Sequence, residues 1–274
     1  MLLSIVSGAL CAGVAALAAR IAARRFENRG RAFAALSAGG FVVLASLSQG
    51  LVVPQVRAWQ VRQASYRAIG TSRFLDTLAA RHPEIREKFA AMMADAVRQG
   101  ATAEEISARA VEFGRDLAGP YFGKYAPQAS DASLIRYVTV MVAALDDLAS
   151  RDPQGCFGLL FGQGTQGGSA ASGVSPEQKQ EMSEAMAEVV ESAIASPAPA
   201  PEPARADALI RKVTGRMAER HGEAILAHLG SLANPADPGI DRAGACLATR
   251  EMYRETLALP SGDAGALLRF LFAP

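Results

Sequence analysis

The 274-residue sequence predicts an all-α chain, with an N-terminal two-helix transmembrane hairpin followed by a helical body built from two similar multi-helix units. Three observations predict it. Met1–Ala19 and Ala32–Val56 carry no charged side chain, and each exceeds the ~18 apolar residues that suggest a membrane-spanning helix. Beyond Val56, apolar residues recur at helical spacing between clear stops, without sustained alternation of period two. Two stretches of the second half also resemble two of the first, the mark of an internal repeat.

The hairpin is expected over residues 1–56, with spans near 2–19 and 33–53. Its connector, "RIAARRFENRGR", is short and basic and ends in the turn-forming Asn28-Arg29-Gly30. Small residues at Gly8, Ala12, Gly39 and Gly40 would let the two backbones approach closely, as helices do in lipid. A cleaved signal peptide is the alternative for Met1–Ala19, but that run lacks a charged start and a longer span follows it. Five arginines in the connector against Arg57, Arg62, Arg67 and Arg73 after the second span place the connector in the cytoplasm. The body then lies on the non-cytoplasmic side of the inner membrane, with Trp59 and Tyr66 near the headgroups.

Residues 57–82 read as a stalk helix. Residues 83–162 form a first unit. In it Pro83 opens a helix that Gly100 closes, and Thr102 with Glu105 forms a capping box for the next, which is expected to stop at Gly119-Pro120. Ser130 or Asp131 caps a fourth helix carrying the stripe Leu134, Val138, Met141, Val142 and Leu145, and Asp152-Pro153 starts a short one ending in "LLFG". A Gly/Ser linker (163–175) leads to a second unit (176–274), with a Pro/Ala-rich loop at 196–204 expected to be extended and exposed.

"PEIREKFAAMMADAV" (83–97) aligns with "PEQKQEMSEAMAEVV" (176–190) at a shift of 93. "LASRDPQGCFGLLF" (148–161) aligns with "LPSGDAGALLRFLF" (259–272) at a shift of 111, sharing a helix cap and a terminal Leu-Phe. Alanine-rich helices give spurious matches, so the second alignment carries more of the case for tandem duplication. The glycines of "GQGTQGGS" (162–169) fall between the copies. Without the Gly-Lys-Ser/Thr entry to a helix they are a seam, not a phosphate loop.

Charge and motifs exclude several classes. All but five of the 28 Lys and Arg, and all but one of the 27 acids, lie beyond residue 56, so that part carries about −3 and has no footprint for nucleic acid. No cofactor fingerprint or nucleophile elbow is present. The aromatics of "GPYFGKYAP", Tyr121, Phe122 and Tyr125, are the candidate binding residues; the alternative is an internal plug. His221 and His228, with Glu223 or Glu219, are the weak metal candidates, because seven residues along one helix set two imidazoles ~10 Å apart. Cys156 and Cys246 can form a disulfide between the units if the body is outside the cytoplasm. Cys11 lies inside the first span.

The expected function is that of a membrane-anchored, non-enzymatic interaction or scaffold protein of the bacterial envelope, with the lipid bilayer and another protein as partners and no cofactor. The excess of Arg over Lys fits a GC-rich bacterial genome, by association with composition alone. The alternatives are an envelope hydrolase or metalloenzyme using the His221/Glu223/His228 region, or a small subunit of a transport or secretion complex.

Overall fold

The computed structural model describes residues 59, 63–65, 69–70, 72–161, 173–235 and 237–273. The proposed hairpin, Tyr66 and most of the seam lie outside them. Among the described residues there is no strand, and no helix is long and apolar enough to cross a membrane.

Ten α-helices are described: α1 (Arg73–Arg81), α2 (Pro83–Arg98), α3 (Ala103–Tyr125), α4 (Asp131–Arg151), α5 (Pro153–Phe161), α6 (Pro176–Ala195), α7 (Pro203–His221), α8 (Ala224–Ser231), α9 (Arg242–Leu257) and α10 (Ser261–Leu271). A single 3₁₀ turn, Ala126–Gln128, joins α3 to α4. Contacts divide the chain into two compact units. One holds residues 1–67 and 86–110, the other 68–85 and 111–274, so the divisions fall inside α2 and α3.

In the first unit, α2 buries Phe89, Ala90, Met93 and Ala96, residues spaced to share one face. Gly100 takes φ +78°, which suits glycine, and lets the chain turn after α2. The expected capping box forms: Glu105 N–H donates to Thr102 Oγ1 (3.2 Å), and Thr102 N–H donates to Glu105 Oε2 (2.7 Å).

The second unit is organised by α4 and α9, which pack on each other. Helix α4 starts at Ser130, whose hydroxyl accepts from Ser133 N–H, and the stripe Leu134, Val138, Met141, Val142 and Leu145 is buried throughout. Helix α4 also packs on α5, α6 and α10, while α9 packs on α5, α7, α8 and α10, and α1 lies on α6. A ring of serines ties α4 to α6: Ser133 and Ser192 hydroxyls meet at 2.8 Å, and Ser130 N–H donates to Ser192 Oγ (3.2 Å). Ser175 and Gln178 form a capping box at the start of α6.

Two sequence expectations are corrected. The helix expected to stop at Gly119-Pro120 runs on through Pro120 to Tyr125. Proline removes one hydrogen bond, to the carbonyl four residues back, and both Asp116 and Pro120 are exposed, so that carbonyl can turn to water. "RHGEAILAH", read as one helix, is two. Helix α7 ends at His221, Gly222 takes φ +80° with its N–H donating to Ala218 O (2.8 Å), and α8 starts at Ala224. The Pro/Ala-rich loop is extended and mostly exposed, pinned by Ala198 N–H donating to Gln128 O (2.8 Å). Pro203 already belongs to α7, at a position where its missing N–H does no harm.

Candidate functional site

Because Pro120 does not end α3, its last two turns carry Tyr121, Phe122 and Tyr125 on a helix and not in a loop. Phe122 and Tyr125 are buried and Tyr121 is half-buried. Phe122 meets the Tyr137 ring at 4.5 Å and the edge of Phe272 at 5.2 Å, and Tyr253 stacks on Phe272 at 6.3 Å. The terminal Leu-Phe of α10 thus closes an aromatic cluster drawn from α3, α4 and α9.

Tyr121 and Tyr125 face the other way, to His82. The Tyr125 hydroxyl lies 2.9 Å from His82 Nε2, and the Tyr121 ring is tilted against the imidazole at 4.8 Å. On its far side, His82 Nδ1 is 3.2 Å from Glu84 Oε1. Burial, followed by the negative charge of Glu84 and by Tyr125, raises the Tyr121 pKa above its ordinary value. His82 stands just before α2 with its partners Tyr121 and Tyr125 about forty residues on, beyond what local pattern reveals. His82, held between Tyr125 and Glu84, ties the α1–α2 junction to α3.

His221 and His228 go to separate partners. His221 Nε2 is 3.2 Å from Glu251 Oε2 on α9, and His228 Nε2 is 3.9 Å from Asp241 Oδ2, while neither Glu219 nor Glu223 pairs with them. The break at Gly222 separates the two imidazoles onto different helices. Among the described residues no group of three His, Cys, Asp or Glu is placed to hold a metal. Cys156 of α5 and Cys246 of α9 are brought together, with Cα atoms 6.1 Å apart and both side chains buried.

The charged residues converge elsewhere. Glu255, 1% exposed, has Arg220 Nη1 2.6 Å from one oxygen and Arg216 Nη1 3.8 Å from the other, without the angles of a hydrogen bond. Arg254 bridges Glu251 and Asp146 (2.6 Å to the latter), and Arg250 also reaches Asp146 at 2.6 Å, so α4, α7 and α9 are linked by charge. Asp146, first its hydrogen bond and then its charge with that of Glu251, raises the Arg254 pKa against the opposing effect of burial.

Between α7, α8, α9 and α10 lies a cavity of about 370 Å³, walled by Ile210, Thr214, Leu229, Leu232, Met252 and Leu271 among others. Its walls belong to the same cluster as the buried core, yet Ile210, Leu229, Met252 and Leu271 are only partly buried. Periodicity marks these residues as apolar faces and does not tell a filled interface from an open one.

Burial raises the phenol pKa of both Tyr137 and Tyr253, the latter to about 12. A phenol whose folded pKa is raised contributes stability that is intact below pH ~10 and lost as pH rises through the folded value. Stability is therefore expected to fall between about pH 10 and 12, with roughly 2–3 kcal/mol of the loss due to Tyr253. Alkaline unfolding of Tyr253→Phe should be shallower over that window; an identical pH dependence in both proteins would refute the assignment.

No known protein family, curated protein or solved structure matches the chain.

Proposed function

We propose that the protein is a membrane-anchored, non-enzymatic binding or scaffold protein of the bacterial envelope, displaying its helical body on the non-cytoplasmic side. The observation that carries this is the pair of uncharged runs, Met1–Ala19 and Ala32–Val56, with a basic connector between them. The juxtaposition of Cys156 and Cys246 supports the outward orientation, because structural disulfides persist where the compartment is oxidising. The enzyme reading loses its main motivation, since His221 and His228 serve separate carboxylates.

Tandem duplication is part of the proposal, and the packing supports it. Each of α4 and α9 is followed after a short break by a short helix, and each short helix, α5 and α10, packs on both α4 and α9. The shift of 111 carries Asp131, the first residue of α4, onto Arg242, the first of α9. Asp131 pairs with Arg269 on α10, and Arg242 lies over the Phe157 ring of α5 at 5.6 Å. The same shift carries Arg269 onto Gly158, beside Phe157. The first residue of each long helix thus contacts the short helix of the other proposed repeat, as an exchanged pair would.

The test is fractionation followed by crosslinking of the full-length protein. The protein should stay in the membrane pellet through an alkaline carbonate wash and crosslink to a stoichiometric protein partner. Release into the supernatant would remove the anchor from the account, and a monomer without partners would remove the scaffold.

A further inference from the structure

We infer that the cavity between α7, α8, α9 and α10 is a binding site for one alkyl chain, of a fatty acid or of a bilayer lipid. The inference rests on the cavity itself; its extension to a bilayer lipid rests also on the membrane anchoring proposed above.

Size comes first. About 370 Å³ is at the lower end of the range for small-ligand sites. A space of that size takes a small ligand or one alkyl segment. It is too small for a helix, and its partly buried walls leave it open on one side, so that a ligand can enter.

Chemistry then selects the occupant. The one side-chain hydroxyl in the wall, Thr214 Oγ1, already donates to Ile210 O (2.9 Å) and stands 3.3 Å from Arg211 O. The carbonyls of Leu229 and Gly230 accept from Leu232 N–H and Ala233 N–H at 3.1 and 3.3 Å. The wall therefore has no free donor to offer. A peptide segment would bring amide groups that need partners, and a sugar or nucleotide would bring more. An alkyl chain brings none, and it fills the space by contact alone. Partly buried Met252, with its unbranched thioether, suits a flexible chain of variable kink.

Glycine supplies the way to test it. A Cβ at Gly230, on the wall, meets nothing within 4 Å. A side chain can therefore start there without its Cβ meeting a neighbour, and leaving glycine behind in a helix favours folding. Gly230→Phe and Thr214→Leu are designed to occupy the space from two sides.

The experiment uses the full-length protein in polymer-bounded discs cut from its own membrane, free of detergent chains. One arm adds dodecanoic acid bearing a terminal diazirine. The other incorporates phosphatidylethanolamine with the diazirine at the end of an acyl chain. After illumination, adducts are mapped by peptide mass spectrometry. Saturable labelling at Met252 or Leu271 in either arm is expected, falling at least tenfold in a variant that melts like the wild type. The arm that labels identifies the source of the chain. No adduct on the wall in either arm overturns the proposal, as does labelling unchanged in both variants. Should the protein not be membrane-bound, the fatty-acid arm runs on the released protein: the anchor then fails and the cavity assignment is judged by that arm alone.

Discussion

Arg216→Ala combined with Arg220→Ala should lower the unfolding free energy by about 3 kcal/mol, while Glu255→Met should lower it by less than about 1.5 kcal/mol. The asymmetry follows from burial. Glu255 is 1% exposed, and among the described residues its charge is compensated by the two arginines. Removing them strands a carboxylate out of water; replacing the carboxylate by a thioether of similar size removes the problem. We take the low end of the range for broken buried pairs because the Arg220 side chain is 63% exposed and water screens it. Denaturant unfolding of the three proteins checks the order. An arginine double variant as stable as the wild type, or Glu255→Met as the weakest of the three, contradicts this account of the α7–α9 contact.

The second large effect belongs to Cys156 and Cys246, which are 90 residues apart in sequence. Closing a loop of that length restricts the unfolded chain enough to contribute about 4.6 kcal/mol in the loop-entropy model. Cys156→Ala with Cys246→Ala should lose that amount, and the bond joins α5 to α9 across the proposed repeat. Thiol titration in denaturant offers an independent check. Without reductant, only Cys11 of the three cysteines should react. Three reactive thiols before reduction, with an unchanged melting temperature in the double variant, would remove both the staple and its argument for an oxidising compartment.

The helices were legible in the sequence where local chemistry decides them. Ser130, Thr102 with Glu105, Pro83 and Pro153 mark starts that the structure reproduces, and the α4 stripe is the core it was read to be. The failures are those where tertiary or solvent context overrides a local signal. Pro120 ordinarily ends a helix, but its exposed side allows α3 to continue, and that continuation carries Phe122 and Tyr125 into the interior. At Gly222 a glycine ends α7 while the apolar pattern resumes two residues later in α8, so periodicity alone runs the two helices together.

The candidate sites were less legible still. Residue type and spacing flagged Tyr121 and Tyr125, but their partner His82 belongs to a different helix junction. The cavity depends on how four helices diverge, which no window of sequence encodes. Number and placement single out Cys156 and Cys246 as the pair available beyond Cys11, while their meeting depends on how α5 packs on α9, which no local pattern encodes.

The central claim is a body held outside the cytoplasm by an N-terminal hairpin. A C-terminal fusion to alkaline phosphatase, which becomes active only after export, tests it most directly. The account predicts phosphatase activity in the membrane fraction. An inactive phosphatase on a full-length, membrane-bound fusion would contradict it.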